Sequence, residues 1–226
     1  MINTKAVAID GPSGAGKSTI ARAIAKELGY IYVDTGALYR AIGLYALTCG
    51  ADTRDAEQVV PLLKRIEVAL RFVKGEQRVI LNGEDVSQRI RENAVSMAAS
   101  NVSAIPEVRA FLFDLQRSIA AANNVIMDGR DIGTVVLPGA DVKVFLTATP
   151  EDRAKRRCEE LALKGELIDY RTVLNEIKER DYNDSHREVA PLKKADDAVT
   201  VDTTGYVLEQ SIAELTALIK ARLGVE

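Results

Sequence analysis

A short apolar run, Ala6-Val7-Ala8-Ile9-Asp10, ends in Gly11-Pro12-Ser13-Gly14-Ala15-Gly16-Lys17-Ser18-Thr19 and passes straight into a helical pattern, Lys17–Leu28. No other stretch constrains the fold as strongly. Gly-x-x-x-x-Gly-Lys-Ser between a strand and a helix is the P-loop arrangement, in which backbone N–H groups and a helix N-terminus surround phosphate oxygens. In that arrangement Lys17 reaches the β and γ oxygens of a nucleoside triphosphate and the Ser18 hydroxyl ligates Mg²⁺. An ordinary glycine-rich strand-to-helix turn is the plainer alternative, and the flanking strand and helix weigh against it.

With 226 residues the chain suffices for one domain, 1–226, with room for a smaller insert. Hydrophobic residues make up 47% and charged residues 28%, a globular balance rather than a disordered or membrane one. The net charge of −3 argues against a nucleic-acid backbone as partner. No run is apolar and long enough for a bilayer, and Met1-Ile2-Asn3-Thr4-Lys5 leads into the first strand without room for a signal peptide. Cys49 and Cys158 fall in separate helical segments without partner spacing, which reads as reduced, partly buried thiols in the cytoplasm. The single histidine, His186, has no His or Cys companions, so it reads as a solvated side chain rather than a metal ligand.

Apolar β-like runs alternate with helical patterns. Ala6–Asp10, Ile31–Asp34, 125–128, Val142–Thr147 and 198–202 read as strands, and Lys17–Leu28, 37–49, Pro150–Leu163, 170–184 and 207–223 as helices. This alternation predicts an α/β fold with a five-stranded parallel sheet flanked by helices, its ligands gathered at the strands' carboxyl ends. The middle differs. Residues 65–73 and Glu76–Leu81 are β-rich and joined by Lys74-Gly75, a hairpin pattern, and Asn82-Gly83-Glu84-Asp85 reads as a further turn. A small antiparallel β insert, about 64–104, is expected there.

Three further constellations carry chemistry. Val125-Ile126-Met127-Asp128-Gly129-Arg130-Asp131 ends an apolar strand in a carboxylate suited to Mg²⁺ or its water shell, with a cation and an anion beside it. In Asp34-Thr35-Gly36-Ala37-Leu38-Tyr39-Arg40, Thr35 can cap a helix and present its hydroxyl, and Arg40 reaches an anion near the helix start. Arg153, Arg156 and Arg157 share a helix face at three- and four-residue spacing, and Arg180-Asp181-x-x-Asp184-x-x-Arg187 follows. Such a face is often merely solvated. Phosphoryl transfer gives it another purpose, since arginines stabilise charge on the transferred group and a hinged lid excludes water.

Taken together these residues resemble the bacterial cytidylate kinases, P-loop nucleoside monophosphate kinases, over essentially the whole chain. The likeness rests on Gly11–Thr19, on Asp34–Arg40 and on Asp128-Gly129-Arg130-Asp131-Ile132-Gly133-Thr134-Val135-Val136. It continues in Glu179-Arg180-Asp181-x-x-Asp184-x-x-Arg187, Ala190-Pro191-Leu192 and Asp202-Thr203-Thr204-Gly205. The P-loop defines only a superfamily; the Gly-Arg-Asp-Ile-Gly-Thr-Val-Val string and the insert narrow it.

The resemblance implies transfer of the γ-phosphoryl group of ATP to CMP or dCMP, with Mg²⁺ as cofactor held by Ser18 and Asp128. It implies that Arg40, Arg130 and Arg187 hold the acceptor phosphate, that Ser100, Arg109 and Asp131 read cytosine, and that Arg180 with Asp184 contacts the ribose. It further implies Thr35 as a base contact and Lys17, Arg130, Arg153 and Arg157 as the catalytic cations. The insert would form part of the wall around the CMP, and closure of the insert and of a lid at 153–166 would align the two phosphates. An acceptor-only Asp and a donor Arg match the amino group, N3 and O2 of cytosine, an edge that uracil reverses. A monomer without an obligatory protein partner, nucleic acid or membrane is expected. A nucleotide-gated switch would carry an Asn-Lys-x-Asp guanine-reading segment, which the sequence lacks. A kinase for a small acceptor such as shikimate or dephospho-coenzyme A would not need the insert or the pairs Arg130/Asp131 and Arg180/Asp184.

Overall fold

The computed structural model describes residues 4–73, 76–163, 165–166 and 168–225. Lys74-Gly75, residues 1–3 and Lys164 of the expected lid lie outside the described residues. Five parallel strands form the main sheet: β1 (Ala6–Asp10), β2 (Ile31–Asp34), β6 (Val125–Gly129), β7 (Val142–Thr147) and β8 (Val199–Asp202), in the order β2-β6-β1-β7-β8. The P-loop strand is therefore central, with the Asp128 strand on one side of it.

Both faces of this sheet are covered, which explains the nearly continuous apolar strands. Val7, Ile9, Ile126, Val144 and Leu146 pack with Ile20 and Ile24 of α1 (Lys17–Leu28) and with Leu215 and Ile219 of α8 (Leu208–Leu223). Ala8, Val33, Val125 and Met127 face the other way. Their cover is Ala120 of α5 (Pro106–Ala122) with Ile132 and Val136 of a π turn, Ile132–Val136.

Between β2 and β6 the chain makes α2 (Thr35–Thr48), a short helix α3 (Ala56–Val59), a 3₁₀ turn Val60–Arg65, and a second sheet of β3 (Val68–Val73), β4 (Glu76–Leu81) and β5 (Glu84–Asp85). α4 (Asn93–Ser103) and α5 follow, and a core of Leu38, Ile42, Val79, Leu81, Val102 and Leu112 joins this sheet to the helices. The antiparallel unit appears where expected, with three adjustments. β3 begins at Val68 because Pro61 and its neighbours wind a 3₁₀ turn through Arg65. The turn narrows to Asn82-Gly83, both at positive φ, and Glu84–Asp85 pairs with Ile80 and Leu81. β4 is tied to the parallel sheet by Gln77, whose side chain accepts from the Asp34 amide at 2.9 Å and donates to the Asp34 carbonyl at 3.3 Å.

α6 (Pro150–Leu163) and α7 (Tyr170–His186) pack through Ala154, Leu161, Val173 and Ile177, a small core of their own. α7 runs two residues beyond the expected 184, and α2 begins at Thr35 rather than 37. Asp34, not Thr35, caps α2, accepting from the Ala37 amide at 2.9 Å. Cys158 is half-buried in α6, but Cys49 stands exposed just past the end of α2, against the expectation of a partly buried thiol.

Candidate active site

The P-loop leaves β1 at Gly11, where the chain runs so close to β7 that a Cβ would lie 1.9 Å from the Leu146 carbonyl oxygen. Gly16, at φ 84°, then turns the backbone into α1. Lys17 is buried at the helix start and donates to the carbonyls of Gly11 and Pro12, each at 2.7 Å. Burial, with Arg130 nearby, pushes its ammonium well below the ordinary lysine range. Ser18 donates to Asp128 Oδ2 at 2.9 Å and Tyr32 donates to Oδ1 at 2.9 Å. Asp34 stands opposite Asp128 in the strand register. Burial first, and Asp34 second, push the Asp128 carboxyl up to about 6.

Facing the loop is a group of arginines from four elements. Arg40 Nη2 pairs with Asp34 Oδ2 at 2.7 Å. Arg130 Nε donates to Asp184 Oδ2 at 2.7 Å, and Ser100 Oγ donates to Asp184 Oδ1 at 3.4 Å. Asp131 lies between two guanidinium groups, bonded to Arg109 through Oδ2 and to Arg187 through Oδ1 at 3.3 Å. Ser103 ties that pair together, its carbonyl accepting from Arg109 at 3.4 Å and its hydroxyl from Arg187 at 3.3 Å. Arg180 donates to Ser96 Oγ at 2.8 Å.

The pairings expected from sequence are therefore exchanged: Arg130 pairs with Asp184 and Asp131 with Arg109 and Arg187. Neighbours at a strand end point apart, so Arg130 and Asp131 each find partners on distant helices.

Positive charge dominates this region. Burial together with Arg130 brings Arg180 down to about 10, with Arg40 adding to the effect. Burial opposes ionisation of Asp184, but Arg130 and Arg180 overcome it and hold its carboxyl below the usual range. Arg40 Nε and Arg180 Nε are buried without a hydrogen-bond partner among the described residues. Buried donors of this kind normally have a partner.

The three arginines of α6 differ in depth. Arg153 is turned inward, bonding Ala148 O at 2.9 Å, Ser13 O of the P-loop at 2.8 Å and Asp181 of α7 at 2.6 Å. Arg156 holds the loop after β8, donating to the Thr203 carbonyl at 2.5 Å. Arg157 pairs with Glu160 at 2.9 Å on the partly exposed side. Thr35 donates its hydroxyl to the Asp128 carbonyl at 2.8 Å, which pins the start of α2 to β6. His186 stacks on Tyr182 with ring centroids 4.0 Å apart.

Sequence reasoning assigned no role to Tyr32, Asp10, Gln77 or Asp181. Tyr32 did leave a trace: it shares a strand face with Asp34, and a polar-tipped aromatic in an apolar strand needs a partner. Asp10 accepts from the amides of Ile132 and Gly133 at 2.8 and 2.7 Å, holding the start of the π turn. Nothing local in the sequence announces that bond.

Ser18 and Asp128 offer hard oxygen donors beside the phosphate-binding loop. Among the described residues there is no cluster of three or more His, Cys, Asp or Glu that could hold a metal alone. This donor set fits Mg²⁺, which keeps waters and phosphate oxygens and takes only one or two protein ligands.

A sequence profile of the Cytidylate kinase family matches residues 7–221. A protein named cytidylate kinase from Caldicellulosiruptor saccharolyticus is 50% identical over 220 residues, covering 97% of each chain. Another of that name, from Lactobacillus johnsonii, is 47% identical over 216 residues, 96% of this chain and 94% of its own. Among solved structures, an uncharacterized protein from Eubacterium ventriosum superposes with a TM-score of 0.54 at 14% identity, covering 97% of this chain and 99% of its own, a likeness of fold.

Proposed function

The chain belongs to the cytidylate kinase family, and from that premise we propose that it transfers the γ-phosphoryl group of ATP to CMP or dCMP, releasing ADP and CDP or dCDP. The observation that carries the reading is the density of positive charge between the two halves of the site. Arg130 and Arg180 both act on Lys17, and Arg130 and Arg40 on Arg180, so the arginine group reaches the P-loop lysine. Such a density suits two sets of phosphates brought together.

In this reading residues 11–19 hold the triphosphate, Arg40, Arg130 and Arg187 hold the acceptor phosphate, and Arg180 with Asp184 contacts the ribose. Asp131 accepts from the cytosine amino group, with Arg109 and Ser100 beside it. Thr35, bonded to the Asp128 carbonyl, contributes by fixing α2 next to the site. The three-stranded sheet and α4 wall the CMP side, within the insert of 64–104. Residues 153–166 belong to the lid, where Arg153 and Arg157 act on the donor side. Bound through Ser18 and Asp128, Mg²⁺ supplies charge neutralisation on the phosphate oxygens. The acceptor oxygen is largely ionised at neutral pH, so Lys17 and the arginines orient the phosphates and offset charge rather than remove a proton.

We also read the protein as a cytoplasmic monomer; among the described residues no helix is long and apolar enough to cross a membrane. The test is coupled ADP release with CMP, dCMP, UMP, AMP and shikimate in turn. Turnover is expected with CMP or dCMP and strong discrimination against UMP. Lys17→Ala should reduce turnover with every acceptor by about 10²–10³-fold, the scale of losing a charge-stabilising group at a reacting centre. Absence of ADP with every nucleoside monophosphate would overturn the assignment.

A further inference from the structure

Both carboxylate oxygens of Asp128 accept from hydroxyl groups, and the two donors come from different elements. Ser18, at the start of α1, bonds Oδ2; Tyr32, in β2, bonds Oδ1. In the strand register Tyr32 lies opposite Ile126, so its hydroxyl reaches along β6 by two residues to find Asp128. The ring is buried, and Arg22 Cζ lies 5.4 Å from its centroid. Arg22 follows Ser18 by four residues on α1 and so shares its helix face. One face of α1 thus presents Ser18 and holds the tyrosine that bonds the other oxygen of the same carboxylate. A cation over the ring strengthens that seat.

We propose that Tyr32 is a positioning residue for the divalent cation that accompanies the donor nucleotide, fixing the rotation of the Asp128 carboxylate so that Oδ2 stays on the Ser18 side. The inference rests on reading Ser18 and Asp128 as the residues that hold that cation. An Asp carboxylate turns about a broad, roughly two-fold torsion, and one donor leaves that rotation weakly defined. A second donor on the opposite oxygen defines it. Partners of this kind orient metal-binding groups, and losing one costs about 10–100-fold in metal affinity.

The test compares ADP binding by titration calorimetry with Mg²⁺ and with EDTA, for the wild type, Tyr32→Phe and Asp128→Asn. The ratio of the two dissociation constants isolates the metal's contribution. Tyr32→Phe keeps the buried ring and its contact with Arg22, so it should fold, and thermal unfolding checks this. In this variant the ratio should fall about tenfold, with the metal-free affinity unchanged. Manganese substituted for magnesium gives a second readout, since the electron paramagnetic resonance of bound Mn²⁺·ADP should report weaker metal binding. A purely structural tyrosine would shift the thermal midpoint or both affinities together and leave the ratio intact, which overturns the inference. If the ratio falls in Asp128→Asn but not in Tyr32→Phe, the metal reading stands and the role of Tyr32 fails. If neither variant lowers it, the metal reading itself fails, and the role of Tyr32 with it.

Discussion

Asp131 is an acceptor-only group between two buried guanidinium groups, Arg109 and Arg187. In the proposed function it is the residue that reads the base. A carboxylate accepts from the amino group of cytosine; facing the O4 of uracil it would lose that bond and meet like partial charge. Asp131→Asn keeps the shape but can present a donor. The ratio of kcat/KM for CMP over UMP should therefore drop about 10–100-fold, the range of one well-made base contact, with the KM for ATP little changed. Steady-state kinetics with both acceptors measures it, and undiminished discrimination would place base reading elsewhere. At this scale the sequence revealed residue types but not pairings. Arg130 and Asp131 are adjacent in the chain, which suggested a pair, yet Arg130 turns to α7 and Asp131 to α5 and to Arg187 just beyond α7. Such choices depend on which helices pack over the strand end.

Elements governed by local rules were legible. Val142–Thr147 and Pro150–Leu163 lie where the apolar run and the helical pattern place them. What failed was subtler: Asp34, in extended backbone one residue before the helix, caps α2 by accepting from the Ala37 amide, while Thr35 already lies in the first turn and bonds β6. The π turn Ile132–Val136 has no period to detect; it is held from outside by Asp10. That bond has a measurable consequence. Burial raises the Asp10 carboxyl from 3.8 to about 6 against the pull of the Gly133 and Ile132 amides. Between those two values the folded chain binds a proton at Asp10 that the unfolded chain does not, so this group favours folding as pH falls through 6 and disfavours it above. Asp10→Asn removes the titration. From pH 7 to pH 5, urea unfolding should show the wild type gaining about 1 kcal/mol relative to that variant. A gain of opposite sign would mean that the two amide bonds outweigh burial and keep Asp10 ionised.

Across the whole molecule the alternation of strands and helices predicted a parallel sheet, whereas the order β2-β6-β1-β7-β8 comes from long-range pairing that no window of sequence contains. The same long-range logic decides how α6 and α7 act. They bury a small core of their own, which is what the proposed lid needs in order to move as a unit. Arg153 is the joint: it bonds Ala148 after β7, Ser13 in the P-loop and Asp181 on α7, and Gly14 leaves room for it, since a Cβ there would lie 3.3 Å from that of Arg153. Helical spacing put Arg153 on a face with Arg156 and Arg157 but could not show that it alone turns inward. If this joint couples the helical pair to the phosphate loop, Arg153→Gln should do more than slow transfer. ATP should bind about tenfold more weakly, which lowers the stabilisation that saturating ATP gives by about 1.4 kcal/mol. It should also protect α6 and α7 less from hydrogen exchange, with the KM for CMP little altered. Calorimetry and exchange mass spectrometry measure these effects. A variant that loses only kcat, with ATP affinity and exchange unchanged, would restrict Arg153 to stabilising the transferred group, and the coupling between lid and loop would have to run through other contacts.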